Sequence, residues 1–170
     1  MSYVYQTMKS PVGELTLVGS DRGLAAVLWE DDDPSRVGPG ALAEDPRHPV
    51  LRQAQRELAE YFAGKRRSFD VKLDPNGTQF QNKVWNALRT IPFGETRSYG
   101  QIADQIGSSK AVRAVGAANG RNPIPIIVPC HRVIGADGTL TGFGGGLAIK
   151  AQLLALEGAG PNRPGQIRLV

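Results

Sequence analysis

The chain holds one cysteine, Cys130, and two histidines, His48 and His131, among 170 residues. A single thiol cannot close an internal disulfide or form a CxxC redox pair, and one cysteine with two histidines falls short of a closed four-ligand zinc site. Structural zinc and disulfide exchange are thereby excluded. No run of about eighteen apolar residues is present, and the opening "MSYVYQTMKSPVG" has neither the basic nor the apolar region of a secretory signal. These absences predict a soluble, cytoplasmic protein. Its 41% hydrophobic content suffices for one or two small cores. Twenty Lys and Arg against sixteen Asp and Glu leave a net charge of +4, which is compatible with an anionic partner such as nucleic acid.

The first thirty residues alternate and turn as a small antiparallel sheet does: "YVYQTMK", the turn "SPVG", "ELTLVG", the turn "SDRG", then "LAAVLWE". The acidic, Pro- and Gly-rich "EDDDPSRVGPGALAEDPRHP" that follows has almost no periodic apolar signal. It is expected as a surface loop, with His48 solvated at its end. Leu51, Ala54, Leu58, Tyr61 and Phe62 recur at helical spacing up to Gly64, predicting an amphipathic helix over residues 50–63 with a glycine cap. "SFDVKL" reads as a short strand. The turn-forming "DPNG" at 74–77 then separates a β-rich domain, residues 1–76, from a helical domain over 77–160, with 161–170 as a tail.

Two helix starts of one kind follow the boundary. Thr78 with Gln81, and Ser98 with Gln101, each place a hydroxyl three residues before a glutamine, so that side chains and backbone can cap reciprocally. The first helix is expected to bury Phe80, Val84, Leu88 and Ile91, and the second, "SYGQIADQIG", to end at Gly107. A third starts at once in "SSKAVRAVGAANG". Helix, short Gly-containing turn and Ala/Gly-rich helix reproduce the helix-turn-helix pattern, with Lys110 and Arg113 on the candidate recognition element. Paired short helices also occur in proteins that never touch DNA.

In "NPIPIIVPCHRVIG", Pro123, Pro125 and Pro129 remove backbone donors, which predicts a rigid, buried, extended connection. A lone cysteine among Ile and Val is commonly a small core residue. The neighbouring His131 opens a second reading, a thiol made nucleophilic by a base. Adjacent residues of an extended chain point to opposite sides, so contact between the two needs a bridging water or a local bend. Glu157, on a final helix "LAIKAQLLALEG" whose Ile149, Leu153 and Leu156 are expected inside, could orient the imidazole, or be an ordinary solvated glutamate. The intervening "TGFGGGLA" reads as a loop for close backbone approach to a ligand, or as a plain turn.

"NPIPIIVPCHRVIG", preceded by "AVRAVGAANGRN" and followed by "GFGGGLAIKAQLLALEG", closely resembles the O6-alkylguanine-DNA alkyltransferases, the methylated-DNA–protein-cysteine methyltransferases. "FQNKVWNALRTIPFGETRSYGQIA" matches the same family, so the resemblance spans about residues 78–158. It implies an α/β (α+β) chain: an N-terminal ribonuclease-H-like domain and a C-terminal winged helix-turn-helix domain that carries the site. It implies direct-reversal repair without turnover, in which Cys130 takes the alkyl group from O6-alkylguanine, less so from O4-alkylthymine, after the nucleotide is flipped. The partner implied is double-stranded DNA, with cooperative self-association on it, and with no cofactor, metal or membrane. His131 would be a water-mediated base, Glu157 its orienter and Asn122 a brace of the active-site turn. Tyr99 would rotate the target phosphate and protonate the departing guanine. Arg113 would fill the stack, with Lys110, Ala114 and Gly116 beside it on the DNA. Val128, Pro129, Phe143, Gly144 and Gly145 would line the pocket.

Two departures stand out. Many relatives carry tyrosine followed by serine or glycine where this chain has Phe143 and Gly144, so the ring is kept and a hydroxyl is lost. Members with an N-terminal zinc site use Cys and His that are lacking here. Rival readings weaken on the same residues. A cysteine peptidase would turn over and leave the helix-turn-helix unexplained. A pure DNA-binding regulator, or an alkyltransferase-like protein that binds damage without repairing it, would not need a thiol.

Overall fold

The computed structural model describes residues 3–32, 42–159 and, for backbone alone, 168–169. It divides into two compact units, Met1–Asn76 and Gly77–Val170. Among the described residues no helix is long and apolar enough to cross a membrane.

In the first unit, β1 (Tyr3–Met8), β2 (Leu15–Ser20) and β3 (Gly23–Leu28) form an antiparallel meander. The stretch expected as loop differs. Leu42–Glu44 forms β4, an exposed strand parallel to β1, which makes the order β3-β2-β1-β4. Three residues are too few to show a periodic pattern. Residues 33–41 of that stretch, residue 160, and 161–167 and 170 of the tail lie outside the described residues.

The helix α1 (Pro49–Phe62) buries Leu51, Ala54, Leu58 and Tyr61 and packs across β2 and β3. Gly19 sits under the crossing, where a Cβ would meet Leu51 Cδ2 at 3.2 Å. His48 is not solvated: Nδ1 accepts from Val50 N at 3.3 Å and Nε2 meets Asp21 Oδ1 at 3.1 Å, so the imidazole caps α1. "SFDVKL" makes one parallel bridge, Leu73 beside Leu24, rather than a strand. Gly23 admits this approach, since a Cβ there would lie 2.6 Å from Lys72 O. The segment is held instead by buried Glu57, whose Oε1 accepts from the amides of Asp70 and Val71 at 2.9 and 3.1 Å.

In the second unit, α2 (Gln79–Leu88), β5 (Arg97–Ser98), α3 (Tyr99–Gln105) and α4 (Val112–Gly120) follow in order, and the three helices pack together. Both capping boxes form, with amide-to-hydroxyl bonds of 3.1 Å at each start and reciprocal glutamine bonds of 2.9 and 2.8 Å. α2 buries Trp85 and leaves Phe80 only half-buried. Trp85 Nε1 donates to Ala118 O at 2.9 Å, fastening α2 to α4. The third helix begins at Val112, after a turn closed by Ala111 N on Ser108 O. Lys110 therefore lies in that turn and Arg113 in the first turn of α4. Two parallel pairs complete the unit, β6 (Val133–Ile134) on β5 and β7 (Thr139–Leu140) on β8 (Arg168–Leu169). The helix α5 (Leu147–Leu156) buries Lys150, Leu153 and Leu154, whereas Leu156, expected inside, is 38% exposed.

Candidate active site

The three prolines between α4 and Cys130 deny the backbone its usual donors, so side chains and tight turns supply the bonds. Asn122 Nδ2 donates to Val128 O at 2.8 Å and Oδ1 accepts from Ile124 N at 3.0 Å, closing a loop over buried Ile126. Ile126 has φ +74°, a left-handed conformation rare for a β-branched residue and adopted here by a side chain wholly enclosed in the core. Cys130 N then donates to Val128 O at 2.8 Å, and Cys130–Arg132 form one turn of 3₁₀-helix. The extended connection expected for this segment is thus corrected. Prolines exclude an α-helix or a central strand, but they are compatible with a tight turn. On such a turn successive side chains stand about 120° apart rather than on opposite faces, so Cys130 and His131 diverge less than in a strand. Cys130 is 5% exposed, and Asn119 Nδ2 approaches its carbonyl at 3.5 Å.

His131 has no solvent exposure. Its Nε2 lies 2.8 Å from Glu157 Oε2. A carboxylate only accepts, so Nε2 carries the proton and Nδ1 presents a lone pair. That buried Nδ1 has no protein hydrogen-bond partner. Burial holds the His131 pKa below the usual histidine value, and it outweighs the opposing pull of Glu157. The ring is therefore neutral at pH 7 and able to accept a proton. Glu157 sits just past α5, 4% exposed, and its carboxyl is pulled down to about 2. Its burial alone would raise that value, but the His131 and Arg132 bonds and charges win. Arg132 grips both oxygens, Nε on Oε1 at 2.7 Å and Nη2 on Oε2 at 3.0 Å. Its Nη1 donates to Ile91 O at 2.6 Å, and the guanidinium lies 5.8 Å from the Phe93 ring centre.

A second cluster surrounds Thr141, the residue after β7. Its hydroxyl lies 2.7 Å from the Tyr99 hydroxyl at the start of α3, and its carbonyl accepts from Lys150 Nζ at 2.9 Å. Lys150 is fully buried, and burial lowers its pKa to about 8 while the field of Cys130 opposes the shift. The attraction is mutual, so an ammonium here favours a Cys130 thiolate. The Tyr99 ring flanks Gly116 of α4, where a Cβ would be in ordinary contact at 3.9 Å. Val128 and Pro129 are buried, Phe143 and Gly145 half-buried, and Gly144 exposed. Gly146 N donates to Phe143 O at 2.9 Å, and Gly146, at φ +95°, starts α5. Arg113, Lys110 and Ala114 are exposed.

The structure thus brings His131 and Glu157 into direct contact and sets Tyr99 against the loop after β7. It leaves the candidate DNA-contacting side chains on the surface. Arg132, Lys150, Thr141 and Asn119 were not singled out in the sequence. Lys150 left a signal: it occupies a helical position that shares a face with Leu147 and Leu154, a core position bearing a cation.

Residues 3–75 match the family described as 6-O-methylguanine DNA methyltransferase, ribonuclease-like domain, and residues 79–159 match its DNA binding domain. A "Methylated-DNA--protein-cysteine methyltransferase" of Mycolicibacterium paratuberculosis is 56% identical over 90% of this chain and 91% of its own. One of Methanosarcina acetivorans is 54% identical over 91% and 98%. The crystal structure of the Mycobacterium tuberculosis O6-methylguanine methyltransferase superposes with a TM-score of 0.83 at 53% identity, covering 92% of this chain and 93% of the other. A structure of Mycobacterium tuberculosis OGT in complex with DNA gives 0.83 at 52% identity, covering 94% of each. Two domain matches in the family's order and identity above one half across nine-tenths of the length leave one conclusion: the chain belongs to the methylated-DNA–protein-cysteine methyltransferases.

Proposed function

We propose that this protein repairs DNA by taking the alkyl group of O6-alkylguanine onto Cys130, once per molecule, with residues 77–160 carrying the chemistry and residues 1–76 forming a separate domain. The observation that carries the residue assignment is His131: buried, neutral, proton-bearing on the nitrogen that faces Glu157, and with a lone pair on the other. The thiol proton passes through one water to His131 Nδ1, and Glu157 stabilises the imidazolium that forms. The thiolate then attacks the alkyl carbon in line. A C–S bond forms, the C–O6 bond breaks, and the electron pair passes to the guanine. Tyr99 donates its phenolic proton to that base and regains one from solvent. Lys150 holds positive charge near the sulfur while it is anionic. The products are a thioether and intact guanine. Nothing in the sequence of steps cleaves the thioether, so the chain is spent.

Access requires the base to leave the stack, at a cost of a few kcal/mol. Arg113, exposed on the first turn of α4, fills the gap, while Lys110 and the small Ala114 and Gly116 allow close approach of the backbone phosphates. Val128, Pro129 and the Phe143–Gly145 loop close on the flipped base, with Phe143 stacking. Asn122 positions the turn without touching substrate. O4-alkylthymine, a smaller base, fits less well. The test is the intact mass of the protein after mixing with duplex DNA containing O6-methylguanine. One methyl per chain, confined to the Cys130 peptide and absent in Cys130→Ser, is expected. Catalytic turnover, or methyl transfer by the serine variant, would overturn the assignment.

A further inference from the structure

The geometry points to Thr141 as a positioning residue for the proton that Tyr99 gives to the departing base, an inference that rests on the reading of Tyr99 as the acid. The two hydroxyls lie 2.7 Å apart, and one of them must donate. With Tyr99 as donor, its only acidic proton is turned away from substrate. With Thr141 as donor, the phenolic proton is free to face the base, and the phenolic oxygen already holds a hydrogen bond when negative charge arrives on it. That bond strengthens as the proton leaves, because hydrogen bonds to charged groups are roughly twice as strong as neutral ones. It therefore favours the transition state over the ground state.

The rest of the site fixes where this hydroxyl stands. Thr141 follows fully buried Leu140 at the end of β7, and its carbonyl is held by Lys150 Nζ at 2.9 Å from α5. A β-branched residue has few χ1 positions, so a pinned backbone leaves the hydroxyl little freedom. The next five residues, Gly142 to Gly146, carry no hydroxyl, since phenylalanine occupies position 143. Thr141 is thus the one hydroxyl that the loop "TGFGGG" offers the site. Lys150, through the Thr141 carbonyl, ties the same residue to α5, the helix that Glu157 follows.

The experiment measures single-turnover transfer from duplex O6-methylguanine as a function of DNA concentration, in Thr141→Val, Thr141→Ser, Tyr99→Phe and the double variant Tyr99→Phe with Thr141→Val. Thermal melting confirms that each is folded. Thr141→Val is expected to lower the saturated rate on the order of tenfold, the size that one hydrogen bond to a developing charge supports, with the half-saturating DNA concentration unchanged. Thr141→Ser keeps most of the rate, and in the Tyr99→Phe background Thr141→Val has no further effect. An unchanged rate in Thr141→Val overturns the proposal while a slow Tyr99→Phe leaves the reading of Tyr99 intact. A full additional loss in the double variant, or Thr141→Ser as slow as valine, means that Thr141 serves the loop and not the phenol, and also overturns it. A Tyr99→Phe variant at full rate removes the acid itself and the proposal with it.

Discussion

Two groups compete to set the charge of His131, and burial prevails. Glu157 alone would favour the imidazolium, but Arg132 engages both of its oxygens and the ring has no solvent around it. The base is neutral chiefly because it is buried, with the nearby positive charges of Arg132 and Lys150 adding to the effect. This division of roles separates two variants. His131→Ala should slow methyl transfer by about 10²–10⁴-fold, the range for a lost general base, with the fold retained. Glu157→Ala leaves Arg132 buried without its partner, and should cost about 3–5 kcal/mol of stability before any effect on rate is counted. Transfer rates and thermal melts on both variants check this, and a rate loss below tenfold in His131→Ala would sink the relay. Acid should act in the same direction as Glu157→Ala. The Glu157 carboxyl titrates near 2 when folded against 4.5 as a free side chain, so its stabilisation is complete above 4.5 and is lost as pH falls towards 2. His131 adds to this, since the unfolded chain takes up a proton as pH drops through 6.5 and the folded ring resists it.

At the scale of elements, α4 is the helix proposed to lie against the duplex. Arg113→Ala should slow transfer from duplex DNA far more than transfer from free O6-benzylguanine, because only the duplex has a stack to be held open, whereas Tyr99→Phe should slow both. Equal losses for Arg113→Ala on the two substrates would make this arginine a shaper of the pocket. The elements also show what local pattern can and cannot carry. Thr78 with Gln81 and Ser98 with Gln101 are legible because a capping box is closed within four residues, and the helices start where the boxes put them. The contact between His131 and Glu157 spans 26 positions and depends on how α5 packs, which no periodicity encodes. β4 is too short to carry a periodic pattern, and the Cys130 turn departs from an extended connection because proline content excludes regular elements without specifying which turn replaces them. Leu156, expected inside, faces solvent since α5 is apolar around most of its circumference, leaving the inward face undetermined by hydropathy.

For the molecule as a whole, the proposed repair at any guanine calls for binding without sequence preference by a chain whose charge is +4 over 170 residues. Binding to undamaged duplex should therefore be carried by phosphates: affinity falls steeply as salt rises, with a log–log slope near −0.9 per phosphate neutralised, and changes little between sequences. Fluorescence anisotropy on unrelated duplexes over a salt series checks this, and a strong preference for one sequence would return α4 to the class of sequence readers. Cys130, finally, is 5% exposed, on a turn whose preceding loop is locked by Asn122. For a reagent that is used only once, every wrong reaction with soft electrophiles or oxidants is a lost molecule. Burial acts as a sieve against them. Whatever cannot enter the site as a flat alkylated base does must wait for the fold to open, so the loss of unspent protein is limited by burial and not by the intrinsic reactivity of its sulfur alone.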